Sequence, residues 1–151
     1  MKYIIGIGSW VNGDDSIGLY LAEEIQKINK NSDLEVVILN QEILSLLTYL
    51  QEDFEKILII DALETDLEAG EWRIFSFEEV ENLKITKSIS THEGNLLTFL
   101  TVLKALKINL DKVKFFGIKP YSTEPGYGLS EILNKNFNTY IQEILKEIEK
   151  P

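Results

Sequence analysis

Three residues of this chain have the chemistry to gather around a divalent ion or an activated water: Asp15, Asp61 and His92, the last being the single histidine. Two carboxylates and an imidazole form a borderline ligand set that suits a first-row divalent metal and leaves coordination positions open. Each residue alone has an ordinary explanation. An Asp ahead of a helix caps it, an Asp at a strand end caps the next loop, and a lone His is most often structural. What favours chemistry is their shared placement. Asp15 ends a loop after the first predicted strand, Asp61 ends the third, and His92, in Ser-Ile-Ser-Thr-His-Glu, precedes a helix.

Several other chemistries fail on the residues themselves. The chain has no cysteine, which removes thiolate metal sites, cysteine nucleophiles and disulfides together. His92-Glu93-Gly94-Asn95-Leu96 lacks the second histidine of an H-E-x-x-H helix, and no G-x-S-x-G elbow exists. Carboxylate-pair glycoside hydrolysis stays open on the residues, but it wants a cleft around a sugar chain, for which a small sheet gives no evident room. Gly6-Ile7-Gly8 opens like a dinucleotide fingerprint, but Val11 stands where the third glycine belongs and Asn40 where the ribose-binding acid belongs. Gly8 and Gly13 have phosphate-loop spacing, yet Asp14-Asp15 follows, and two carboxylates repel the phosphates that the motif's lysine attracts. These glycines read as tight packing and a sharp turn.

The elements that must position the trio alternate along the chain. Residues 2–8 and 56–60 are short apolar runs typical of strands buried on both faces, and 34–39 and 113–118 are further strands. Residues 16–29 predict a helix with Ile17, Tyr20, Leu21, Ile25 and Ile28 on one face and Asp14 or Asp15 as its cap. Residues 43–50 and 96–106 predict two more helices. From Leu129 to Ile148 an apolar stripe predicts one long final helix. The strand-like run 71–77 follows Asp61 too soon for a parallel crossover, which needs about a dozen residues, so it is expected to run antiparallel, at an edge. The fold class expected is a single-domain three-layer α/β/α sandwich over residues 1–151, with a mostly parallel five-stranded sheet and one antiparallel strand. In such a sheet the first and third strands are neighbours, which would bring Asp15 and Asp61 to one edge. Loops 9–15 and 119–128 both follow strands, at the carboxyl ends where open α/β sheets place ligands.

Composition sets the outer bounds. With 44% hydrophobic and 26% charged residues in 151, the chain can bury a full core, and its ordinary globular composition argues against disorder. A net charge of −10 without a basic stripe argues against nucleic acid as the partner. The N-terminal apolar run meets glycine too early for a signal peptide or membrane span, so the expected compartment is the cytoplasm.

One rival arrangement uses the same residues. A receiver-like phosphoacceptor domain has an acidic pair after strand one, an Asp after strand three, a later Ser/Thr and a Lys-Pro. Here these would be Asp14-Asp15, Asp61, Ser88 or Ser90, and Lys119-Pro120. In a receiver the acids end the first strand directly, whereas here residues 9–13 intervene, and His92 has no task. A binding scaffold of the same fold without catalysis is the third possibility.

The blocks Gly6-Ile7-Gly8-Ser9-Trp10-Val11-Asn12-Gly13-Asp14-Asp15-Ser16-Ile17-Gly18, Ile59-Ile60-Asp61-Ala62, Gly70-Glu71, Ser90-Thr91-His92, Gly117-Ile118-Lys119-Pro120 and Gly126-Tyr127-Gly128-Leu129-Ser130 occur in this order. As an ordered set spanning almost the whole chain, they resemble the hydrogenase maturation proteases. These endopeptidases remove a C-terminal extension from the large subunit of NiFe hydrogenases. The resemblance implies that Asp15, Asp61 and His92 are both the catalytic and the metal-contacting residues. It also implies that the nickel arrives inside the hydrogenase large-subunit precursor, with no permanently bound cofactor in the protease. Bound nickel would anchor the substrate and polarise the scissile carbonyl or a water, with an Asp as general base, an aspartic-type assignment.

Two departures bear on substrate choice. The family usually has Asn after Gly-x-Gly, where this chain has Ser9. Many members have Asp-Gly-Gly after the second strand, where this chain has Asn40-Gln41-Glu42. Ser9, Asn40 and Gln41 are therefore the expected substrate-binding residues, and the Gln resembles the branch acting on cytoplasmic, cofactor-reducing hydrogenases.

Overall fold

The computed structural model describes residues 1–86 and 93–151, and for 84–86, 93–98 and 100 it describes the backbone alone. Five apolar segments form one sheet: β1 (Lys2–Gly8), β2 (Leu34–Asn40), β3 (Lys56–Ala62), β4 (Trp72–Ser76) and β5 (Val113–Ile118), in the order β2-β1-β3-β5-β4. Strands β2, β1, β3 and β5 run parallel, and β4 pairs antiparallel with β5 at the edge, as the short connection after Asp61 requires. The helices are α1 (Ile17–Ile28), α2 (Leu46–Leu50), α3 (Phe77–Thr86), α4 (Glu93–Leu106), α5 (Glu131–Lys135) and α6 (Phe137–Glu149), with 3-10 turns at Gly13–Ser16 and Ile43–Ser45 leading into α1 and α2.

The period-two alternation of the central strands sorts their side chains into two cores, one on each face. Ile5, Ile57, Ile59 and Phe115 face one side and are covered by Leu46 of α2, Phe77 and Val80 of α3, and Phe99 and Leu103 of α4. Ile4, Leu58, Ile60 and Phe116 face the other, beneath Ile17, Leu21 and Ile25 of α1 and Tyr140, Ile144 and Ile148 of α6. This is the three-layer arrangement predicted. Burying each such aliphatic side chain stabilises the fold by roughly 1.5–3 kcal/mol, so the central strands form the rigid base from which the site loops project.

Three sequence expectations need correction. The final stripe is not one helix: α5 and α6 are separated at Asn136, whose side-chain amide turns back to donate to the Ile132 carbonyl at 3.0 Å. The apolar register survives the break because both Leu133 and Tyr140 face the core. Helix α3 was not anticipated, although Ser76-Phe77-Glu78-Glu79 is a capping box: Glu79 Oε1 accepts from the Ser76 N–H at 2.9 Å, and Ser76 Oγ accepts from the Glu79 N–H at 3.1 Å. In α1, Ile28 is exposed and Leu19 is buried, so the buried face is rotated from the one expected.

Candidate active site

The loop that carries Asp15 is shaped by glycine at its root. Gly8 has φ +151°, and a Cβ there would sit 2.0 Å from the Asp15 carbonyl oxygen. The chain can therefore fold straight back on itself after β1, and the Ser9 N–H donates to that carbonyl at 3.3 Å. The 3-10 turn Gly13–Ser16 then feeds α1, whose Gly18 lies against the sheet so closely that a Cβ would be 2.3 Å from the Ile60 carbonyl oxygen and 2.6 Å from that of Ile7. This fixes the half-buried Asp15 beside the end of β3, where Asp61 follows Ile60. Asp61 is 5% exposed and stands in register with Gly117 of β5. The strand order makes β1 and β3 neighbours, so the two acids share one edge of the sheet as predicted.

His92 lies outside the described residues, as do Ser88 and Ser90 of the receiver arrangement. Among the described residues no group of three or more His, Cys, Asp or Glu is gathered to hold a metal. The described part of the trio is the carboxylate pair.

Asp14, expected to cap α1, does something else. It is 1% exposed; its Oδ2 accepts the backbone N–H groups of Tyr121 at 2.9 Å and Ser122 at 3.1 Å, and its Oδ1 accepts that of Ser130 at 2.7 Å. The carboxylate thus gathers the loop after β5 against the loop after β1. Backbone bonds extend the seam: Asp14 N–H to the Ser122 carbonyl at 2.9 Å, Gly13 N–H to Gly126 at 2.9 Å, and Gly126 N–H to Val11 at 2.7 Å. Charge-assisted bonds of this kind are about twice as strong as neutral ones, which lets one buried carboxylate hold a long irregular segment. No local periodicity announced this role; the only sequence signal was a second acid beside Asp15 facing a polar loop far along the chain.

The expected substrate-binding residues divide by exposure. Ser9 is fully buried, and its hydroxyl oxygen accepts the side-chain amides of Gln41 at 2.8 Å and Asn12 at 3.1 Å, so it fastens loops together. Asn40 and Gln41 are exposed at the end of β2. Asn40 Oδ1 accepts the Trp10 N–H at 3.3 Å, and Gln41, with φ +58°, donates its backbone N–H to the Gly8 carbonyl at 2.8 Å. Lys119 pairs with Glu64 at 2.7 Å and donates to the Thr65 carbonyl at 2.9 Å, bracing the loop that follows Asp61. Tyr140 donates to the Gly70 carbonyl at 2.6 Å from the far end of that loop, and burial pushes its phenol up to about 12, so it stays a neutral donor.

The model of the hydrogenase maturation protease family matches residues 19–147. A putative hydrogenase maturation protease of Methanocaldococcus jannaschii is 30% identical over 148 residues, covering 97% of this chain and 96% of that protein. The chain belongs to the hydrogenase maturation protease family. Among solved structures, the hydrogenase maturating endopeptidase HybD of E. coli superposes with a TM-score of 0.80 at 24% identity, covering 97% of this chain and 90% of that one. The NiFe hydrogenase maturation protease HybD of Thermococcus kodakarensis gives 0.75 at 24% identity, covering 98% and 99%. The fold of this maturation protease is therefore theirs. Its antiparallel β4 and β2-β1-β3-β5-β4 order also differ from the flavodoxin-like 2-1-3-4-5 order that receivers share, which removes the receiver alternative.

Proposed function

We propose that this maturation protease is the endopeptidase that removes the C-terminal extension of a nickel-loaded NiFe hydrogenase large-subunit precursor, in the cytoplasm, with Asp15, Asp61 and His92 contacting the nickel that the substrate brings. The observation that carries the reading is the pairing of family membership with Asp15 and Asp61 on one sheet edge, Asp15 in the turn that follows β1 and Asp61 at the end of the neighbouring β3. Nickel held in the precursor would polarise the scissile carbonyl beside it. A carboxylate of the pair takes the proton from the attacking water as its oxygen bonds to the carbonyl carbon. The same proton then passes to the amide nitrogen as the C–N bond breaks, which releases the extension with a new amine and leaves a new carboxylate. Asn40 and Gln41, exposed at the end of β2, are assigned to selection among precursors. Among the described residues no helix is long and apolar enough to cross a membrane.

The test is incubation with nickel-loaded and nickel-free precursor, read by electrophoresis and mass spectrometry of the released extension. Cleavage of the loaded form alone is expected, with Asp61→Asn and His92→Ala inactive but folded. Equal cleavage of both forms overturns the nickel-sensing assignment, and full activity of Asp61→Asn overturns the catalytic one.

A further inference from the structure

The segment after β5 combines two properties that folding alone does not require together. It is held firmly, by the Asp14 carboxylate and by the seam to residues 11–14, and yet its largest side chains face outward. Tyr121 is 72% exposed and Tyr127 83%, with the exposed Val11 on the facing loop. Gly126 and Gly128 flank Tyr127 with φ +148° and +87°, and a Cβ built on either meets nothing within 4 Å. Another backbone can therefore approach the loop closely on both sides of the Tyr127 ring. Rigid, solvent-facing tyrosines lose little conformational freedom on binding and are typical anchors of recognition surfaces.

Charge identifies the occupant. Among the described residues, the loops at this end of the sheet carry Asp15, Glu42, Glu64, Asp66, Glu68 and Glu124 against one base, Lys119, which Glu64 already engages. At the opposite end Lys30, Lys107, Lys112 and the N-terminal amine stand among the acids, and the amine is paired with Asp33 and Glu55. The loops at the tyrosine end are thus strongly acidic, whereas acids and bases are mixed at the opposite end.

We infer that Tyr121 and Tyr127 form a docking rail for an extended, cationic peptide segment of the precursor beside the scissile bond. The inference rests on the endopeptidase reading and adds to it the surface and the chemistry of the segment recognised. The rail grips the segment by aromatic contact, and the acidic surround draws it in and sets its polarity.

The experiment compares the unsubstituted protein with Tyr121→Ala/Tyr127→Ala on the nickel-loaded precursor, with melting curves to establish that both are folded. KM is expected to rise about tenfold or more with kcat within about twofold, the signature of lost uniform binding. For the unsubstituted protein, raising salt from about 50 to about 300 mM should raise KM severalfold, because surface charge attraction is screened. Replacing the precursor's Lys and Arg residues near the cut with Gln should act in the same direction. A KM that the tyrosine substitutions leave unchanged overturns the rail. A tyrosine effect without any response to salt or to the Gln replacements overturns the cationic segment and assigns the surface to the folded body of the precursor. A dimer of the isolated protein that the same substitutions dissociate overturns it in favour of a second copy. Failure of the unsubstituted protein to cleave counts against the endopeptidase reading itself. In that case direct titration with the precursor, which requires no cleavage, still decides the rail.

Discussion

The carboxylate of Asp14 accepts the backbone N–H of Ser130 at 2.7 Å across 116 positions of sequence, and this bond, with those to Tyr121 and Ser122, makes two separate loops one structure. Replacing Asp14 by Ala leaves three backbone donors without their acceptor in a buried setting. The expected loss of stability is about 2–4 kcal/mol, seen as a fall in Tm of roughly 5–15 °C in a thermal melt. Asp14→Asn keeps the shape but turns an amide NH2 toward at least one N–H donor, so it should be destabilised nearly as much. A melt within a degree of the unsubstituted protein would show that the carboxylate holds nothing.

A second expectation concerns Gly18, where helix and sheet touch. A methyl group at this position has no room between the Ile60 and Ile7 carbonyl oxygens, so Gly18→Ala must lift the start of α1 from the sheet. Overpacking of this sort costs about 1–3 kcal/mol. Because the turn bearing Asp15 leads directly into α1, cleavage of the precursor should fall by more than the loss of folded protein explains. Measuring specific activity per folded molecule, at a temperature well below the melt, separates the two effects.

The capping box of α3 gives a pH-dependent expectation. Backbone and side-chain hydrogen bonds to Ser76 lower the Glu79 carboxyl below its ordinary 4.5, against a smaller opposing effect of burial. A group lowered on folding contributes stability that is fully present above its unfolded value and is lost as pH falls through its folded value. Ser76→Ala should therefore destabilise the protein by about 1 kcal/mol at neutral pH. Glu79→Gln, which cannot ionise, should lose this contribution at about pH 7 and differ little from the unsubstituted protein near about pH 3, which flattens the acid limb of the stability curve. Denaturant melts between pH 3 and 7 test both expectations.

What was legible in the sequence follows from how local each signal is. Strands β1, β3 and β5 announce themselves as short apolar runs, and β4 as a strand reached too quickly to be parallel. From those readings alone Asp15, in the loop after the first strand, and Asp61, at the end of the third, fall at the same edge of adjacent strands, and β1 and β3 are neighbours in the sheet. The function of Asp14 was not legible, because a carboxylate serving a loop more than a hundred positions away leaves no periodic trace. Helix α3 escaped because it buries only sparse apolar positions, Phe77 and Val80 among them, although its capping box was readable. The break at Asn136 escaped for the opposite reason: the stripe continues across it, and hydrophobic pattern alone cannot register a lost turn. Gly8 was read correctly as a packing residue, and the structure supplies the carbonyl it makes room for.

Strands β1 and β5 are not neighbours; β3 lies between them, so the seam joining their loops is an arch over the end of the strand that carries Asp61. An arch stands on both feet or not at all. Residues 9–16 and 119–130 consequently form one inheritable unit: a chimera that takes one segment from a relative must take the other with it. Changes of length on either side are then tolerable only where the opposite side can move to meet them, and the freedom to diversify in this part of the chain lies instead in the outward-facing side chains that the arch carries.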